Sequence, residues 1–340
     1  MLNIYKLIFL LTLIMGTMIS ISSYTWLGTW MGLEINLLSF IPLLKSKNNS
    51  YSTESSIKYF LVQAFASTIF LFSIIMIMLN NNINEFLNMN VFLTMMINSA
   101  LLMKMGAAPF HFWFPEIIEG MNWINSFILM TWQKIAPLML LSYTIKYSNY
   151  IIFIIMMSTL IGSIGGLNQT SMRKIMAFSS INHLGWMISS FLNSEMLWML
   201  YFFMYSFISM TLIYMFNMFK IFYLKQMYSF MNNNLLIKFS LLMNLLSLGG
   251  LPPFLGFLPK WMVIQYLSMN YMYLLLFMIM MTLITLFFYL RISYTSLVLS
   301  HNEMNFNILN NKINMNTKMF ILSFISINGL ILCTILFNLY

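Results

Sequence analysis

Apolar residues fill this chain in long blocks, and polar residues collect in the gaps between them. A window of about 20 residues, the length at which a helix crosses ~30 Å of hydrocarbon, picks out about eleven blocks. Their expected bounds are Leu2–Ile21, Ser23–Leu44, Ser56–Leu79, Val91–Glu119, Asn122–Ile145, Asn149–Leu167, Lys174–Leu192, Glu195–Phe222, Lys238–Leu267, Tyr271–Leu299 and Lys318–Asn338. The polar stretches Lys45–Ser55, Asn80–Asn90, Lys225–Ile237 and Ser300–Thr317 read as connections. The expected fold class is therefore an all-α polytopic membrane protein, with one transmembrane domain over residues 1–340.

Two blocks carry an interruption. The fourth contains Gly106-Ala-Ala-Pro109, and the ninth contains Gly249-Gly-Leu-Pro-Pro-Phe-Leu-Gly256. Proline lacks an amide proton and disturbs the turn before it. Open backbone inside a membrane persists only where protein buries it or where it lines a wet cavity. Each interrupted block is the fourth of a run of five. Five is odd, so the second run enters the membrane from the opposite side. This predicts two inverted five-helix repeats, about 1–145 and 149–299, with an extra helix over 318–338. Transporters with ion sites at the membrane midplane share that layout.

Positive charge sorts with the same alternation. Placing the N-terminus on one side collects Lys6, Lys45, Lys47, Lys58, Arg173, Lys174, Lys220, Lys225, Lys238, Arg291, Lys312 and Lys318 there, against Lys146 alone on the other. The basic side is the cytoplasm-like one, which in a mitochondrion is the matrix. This asymmetry accounts for most of the net charge of +9. The basic residues form no patch with interleaved aromatics, so nucleic acid is not an expected partner.

Composition agrees with the membrane reading: 61% of residues are hydrophobic and 7% charged, against about 25% charged in a soluble domain. Methionine occurs 37 times, aspartate is absent and arginine occurs twice. An AT-rich gene read with ATA as methionine, as in animal mitochondria, gives this bias; methionine as a pliable lipid-facing residue is the plainer account. The first block has no small-residue cleavage site and reads as a helix, not a removable signal. The single cysteine, Cys333, excludes a disulfide framework and a thiolate cluster for zinc or iron–sulfur. Gly162-Ser-Ile-Gly-Gly166 lies inside an apolar block and reads as helix packing, not a dinucleotide loop. No redox cofactor or metal is expected on this chain.

Four charged residues sit deep in apolar blocks: Glu34, Lys104, Lys134 and Lys260. A lysine at mid-membrane costs about 2.5–3.5 kcal/mol on insertion scales, so each should face a polar group or water. An amine taken out of water holds its proton less firmly, and a nearby carboxylate restores the hold. A set of this kind suits proton handling, with Lys104 as the switching group, Lys134 the next station and Lys260 the exit. His183, near the middle of its block, is a candidate bridge. Plainer readings stand beside these. Lys104 could snorkel from a kinked helix, Lys134 could be a fixed counter-charge, Glu34 a structural partner and His183 a hydrogen-bonded core residue. His111 could line the same path or cap freed carbonyls. Glu116 and Glu119 read as solvated or interfacial, and His301 and Glu303 carry no signal.

Five stretches carry a resemblance: Trp30-Met-Gly-Leu-Glu34-Ile-Asn36, Lys104-Met-Gly-Ala-Ala-Pro-Phe-His-Phe-Trp113, Trp132-Gln-Lys134-Ile-Ala-Pro137, Arg173 through Trp186, and Gly249 through Trp261. They resemble the family of mitochondrially encoded second subunits of NADH:ubiquinone oxidoreductase, respiratory complex I, one of its antiporter-like subunit families. The asparagine- and methionine-heavy style is similar to arthropod members. The resemblance covers essentially the whole chain.

It implies a proton-translocating subunit in the mitochondrial inner membrane, with its N-terminus in the matrix and its C-terminus toward the intermembrane space. It also implies that Glu34 pairs with Lys104, and that Lys134 and Lys260 continue a polar axis. Implied partners are other membrane-arm subunits, antiporter-like and small hydrophobic ones, together with accessory subunits and phospholipids. NADH, FMN, iron–sulfur clusters and ubiquinone are implied elsewhere in the complex. Asn182 stands where the family more often has a small residue. A stand-alone cation/proton antiporter and a structural spacer are the rival readings.

Overall fold

A computed structural model describes residues 4–45, 49–80, 91–145, 148–231, 235–298 and 317–338. The proposed loops at Asn80–Asn90 and Ser300–Thr317, with Lys146, His301 and Glu303, lie largely or wholly outside these residues. Among the described residues there are 15 helices and one isolated bridge between Ser171 and Tyr223. Seven helical stretches are long and apolar enough to cross a membrane, and shorter apolar helices accompany them. The chain is an all-α, multi-pass membrane protein. It divides into two compact units, Met1–Ile154 and Ile155–Tyr340.

In the first unit the helices are α1 (Ile4–Ser22), α2 (Trp26–Leu44), α3 (Ser50–Asn80), α4 (Val91–Met105), α5 (Trp113–Gly120), α6 (Trp123–Met130) and α7 (Trp132–Thr144). A tight turn joins α1 to α2, and Thr25 caps α2 by accepting a hydrogen bond from the Gly28 amide at 3.2 Å. The two helices press together at glycines: a Cβ on Gly16 would lie 2.9 Å from the Asn36 amide nitrogen, and one on Gly32 2.5 Å from that of Ser20. Helix α3 packs against α2, α4 and α5, and α4 packs against α7. Asn98 of α4 and Thr144 of α7 are hydrogen-bonded to each other, which fixes that pair.

Two expectations need correction here. Helix α3 starts at Ser50, inside the stretch read as a loop. Its polar first turns are held by Ser52 Oγ donating to Asn49 O at 2.7 Å and by Lys58 bonding Glu54 one turn before it, at 3.0 Å. The fifth block is divided at Thr131, whose hydroxyl donates to Phe127 O at 2.7 Å, while Pro137 deprives the Gln133 carbonyl of its helical donor.

Helix α8 (Ser148–Gly166) crosses the boundary between the units. The second unit contains α9 (Met172–Phe191), α10 (Glu195–Phe219), α11 (Leu224–Met231), α12 (Leu235–Gly249), α13 (Phe257–Asn270), α14 (Met272–Val298) and α15 (Thr317–Asn338). Helix α9 is buried along almost its whole length. The glycine cluster does pack as expected, because a Cβ on Gly162 would lie 2.5 Å from the Asn182 amide nitrogen and one on Gly165 2.4 Å from the Phe178 ring. The stretch Lys225–Ile237, read as a polar connection, contains α11. Gln226 Oε1 accepts the Phe222 and Tyr223 amides at 2.8 and 3.2 Å and so starts that helix. Tyr228 and Thr295 tie it to α14 at 2.7 Å.

Candidate functional site

The first break is built by Gly106, which turns the chain at φ +73°, a left-handed conformation that glycine reaches without a side-chain clash. The turn ends α4 at Met105 and lets α5 begin at Trp113. Carbonyls that lost their helical donors are capped from outside. Gln63 Nε2 donates to Lys104 O at 3.1 Å, and Trp113 Nε1 donates to Met103 O at 3.2 Å. A Cβ on Gly106 would meet the Phe114 ring at 3.1 Å, so the turn also sets where that ring lies.

Lys104 is 6% exposed, and its Nζ has no hydrogen-bond partner among the described residues. Half-buried Glu34 acts on this amine through space, beyond ion-pair contact. A cavity of about 10 Å³ lies beside Lys104, lined by Asn36, Tyr59, Gln63 and Gln133 with Leu33, Leu37 and Pro137. Lys134 is 1% exposed, and its amine lies 5.1 Å from the centroid of the Phe114 ring, a cation–π contact. The first unit thus brings Glu34 and Lys104 within electrostatic reach and seats Lys134 on a ring whose position the break sets.

The second break turns at Gly250, φ +84°. Here the lysine itself does the capping: Lys260 Nζ donates to Gly249 O at 2.8 Å, and Lys260 is 6% exposed. The connecting strand of chain is held from α15, whose Ser326 carbonyl accepts the Leu255 amide at 3.3 Å, while the Ser326 hydroxyl pairs with Asn244 of α12. His183 of α9 bonds Tyr201 Oη through Nδ1 at 2.9 Å and lies against the Tyr205 ring at 5.0 Å. A second cavity of about 10 Å³ touches His183, Tyr201 and Tyr205 and reaches Gly256 and Pro259 of the break.

Of the other residues weighed from sequence, His111 bonds the Pro109 carbonyl through Nδ1 at 3.2 Å, the capping alternative. Glu116 pairs with Lys58 at 3.0 Å and is 57% exposed, in keeping with the solvated or interfacial reading. Among the described residues no three His, Cys, Asp or Glu side chains converge to hold a metal. The sequence reading missed Tyr59, Gln63, Tyr201 and Tyr205, and passed over Asn36 and Gln133. The available signal was neutral: an amide or phenol within an unbroken apolar run, as in Leu61-Val-Gln63-Ala-Phe65.

The transmembrane family described as NADH:quinone oxidoreductase/Mrp antiporter matches residues 23–285. NADH-ubiquinone oxidoreductase chain 2 of Anopheles gambiae is 56% identical, over 97% of each chain. The chain of that name from Locusta migratoria is 52% identical, over 98% of this chain and 96% of that one. A chain of respiratory complex I from Thermus thermophilus shares the fold with a TM-score of 0.79 at 20% identity, over 86% of this chain and 71% of its own. Sequence and fold agree, and the chain belongs to the NADH:quinone oxidoreductase/Mrp antiporter transmembrane family, among the NADH-ubiquinone oxidoreductase chain 2 proteins.

Proposed function

We propose that this chain is a core membrane-arm subunit of respiratory complex I in the mitochondrial inner membrane, moving protons while other subunits carry electrons from NADH to ubiquinone. The observation that carries the reading is the likeness to insect chain 2 proteins along nearly the full length of both chains. Its partners are the other membrane-arm subunits, with accessory subunits and phospholipids around them. NADH, FMN, iron–sulfur clusters and ubiquinone bind elsewhere in the complex. This chain takes part in the NADH:ubiquinone reductase reaction as a translocating subunit.

The relay comprises Glu34, Lys104 and Lys134 in the first unit and His183 and Lys260 in the second. Buried Lys104, lacking a hydrogen bond and feeling the Glu34 charge, supports a switching role. A shift of charge near Glu34 changes how firmly that amine holds its proton. Counting α4 with α5, α6 with α7 and α12 with α13 as single crossings, and α11 as none, 15 helices reduce to 11 crossings. An odd number of crossings puts the two termini on opposite faces, and the excess of basic residues on the N-terminal side supports two inverted repeats with the N-terminus in the matrix and the C-terminus facing the intermembrane space.

Lys104→Met in the assembled complex tests the reading. Proton translocation should be lost with assembly intact. Translocation at the unaltered rate would identify a spacer whose lysines serve packing.

A further inference from the structure

The cavity beside Lys104 has four neutral polar walls from three helices; three of them are joined in a hydrogen-bonded chain, and the fourth, Gln63, is bonded to the Lys104 backbone. Tyr59 Oη donates to Gln133 Oε1 at 3.4 Å, Gln133 Nε2 donates to Asn36 Oδ1 at 2.9 Å, and Gln63 Nε2 donates to the Lys104 carbonyl at 3.1 Å. These bonds fix each group while leaving acceptor capacity on Tyr59 Oη and Gln63 Oε1. The Lys104 ammonium has three N–H donors, and none of them is used by a group among the described residues. Leu33, Leu37 and Pro137 close the remaining walls.

Size and chemistry select the occupant. About 10 Å³ is the room that one water needs, and a buried water needs two to four polar partners. Lys104 offers donors, and Tyr59 and Gln63 offer acceptors. Apart from Lys104 itself the walls carry no charge, and the ammonium repels a cation. The wall residues are also braced. The Tyr59 ring packs edge-on against Phe40 at 5.2 Å and Trp113 at 6.2 Å, so its hydroxyl is held in place by its neighbours.

The geometry points to Asn36, Tyr59, Gln63 and Gln133 as positioning residues that hold one ordered water against the Lys104 amine. This rests on the reading of Lys104 as a proton-carrying group. The water gives that amine a hydrogen-bond partner that the protein does not supply. The amide chain from Gln133 to Asn36 ties its place to α2, the helix that carries Glu34. A movement of α2 relative to α7 and to α4, which is bonded to α7, therefore changes the hydration of Lys104 as well as its distance from the carboxylate.

A map of the assembled complex that resolves ordered water should show one peak within hydrogen-bond distance of Lys104 Nζ and Tyr59 Oη. A dry cavity overturns the proposal. Tyr59→Phe removes one hydroxyl and keeps the ring contacts, and Gln133→Leu removes the central amide. Each should slow proton translocation about tenfold and raise its solvent deuterium isotope effect, which a packing role would leave unmoved. If Lys104→Met stops translocation while both of these variants keep the wild-type rate and isotope effect, the water cage falls and the relay stands. If Lys104→Met leaves translocation intact, the relay falls and the cage with it.

Discussion

Both breaks open a helix at a left-handed glycine beside a buried lysine, yet they satisfy the freed backbone by opposite means. At the first, neutral side chains take the carbonyls: Gln63 serves Lys104 O, Trp113 serves Met103 O, and the lysine amine bonds no group among the described residues. At the second, the Lys260 amine serves Gly249 O itself. A mid-membrane ammonium needs compensation, and so does an open carbonyl. The second break lets one satisfy the other. The first keeps them apart, so its amine can respond to a neighbouring charge without costing the helix its cap. Lys260 has one of its three N–H donors already committed to its own break.

The largest expected effect that tests this contrast is on stability. Lys260→Met removes the donor to a buried carbonyl and should cost about 1–3 kcal/mol, read as an earlier thermal inactivation of the assembled complex. Lys104→Met removes a buried charge that caps no backbone carbonyl, and the same measurement should register no loss. Equal destabilisation by the two would erase the difference between the breaks. Gly250→Ala should fall in the same range as Lys260→Met, because it forces a side chain to φ +84° and places a Cβ 2.9 Å from Lys260 Cδ.

Gln63→Leu comes next, at about 1–2 kcal/mol, since it uncovers the Lys104 carbonyl. If that variant were as stable as wild type, the first break would not depend on its neutral cap. Phe114→Leu removes the ring beneath the Lys134 amine and should cost about 1 kcal/mol, with translocation altered more than assembly. The smallest effect belongs to Lys58→Met, which dissolves the exposed pairing with Glu54 and Glu116. It should be barely measurable at low salt and vanish at high salt.

Much of this was legible in the sequence because its cost is visible there. A Pro/Gly pair inside an apolar block, or a lysine far from either end, is too expensive to be incidental; both breaks appear where the pattern put them, and Lys104, Lys134 and Lys260 are buried, while Glu34 is half-buried. What was not legible falls into two kinds. Neutral polar groups such as Gln63 and Tyr59 cost less, so they do not stand out against ordinary helix composition, although here they wall the Lys104 cavity. Direction is also invisible. Counting residues gives depth along a helix, but only the fold reveals that the Lys260 amine turns back onto its own break. The divided α6–α7 block had no glycine or proline at Thr131 to announce it, and the polar opening of α3 looked like a loop because its side chains bond locally within the helix.

One contact has a bearing on manufacture. Gln63 is made before the first break and Trp113 directly after it, so both donors that close that break are present once α5 begins. The Leu255 amide waits for the Ser326 carbonyl, which arrives only after α13 and α14 have been made. A nascent chain halted before Thr317 would lack the acceptor of the Leu255 amide, while the cap donors of the first break are already in place.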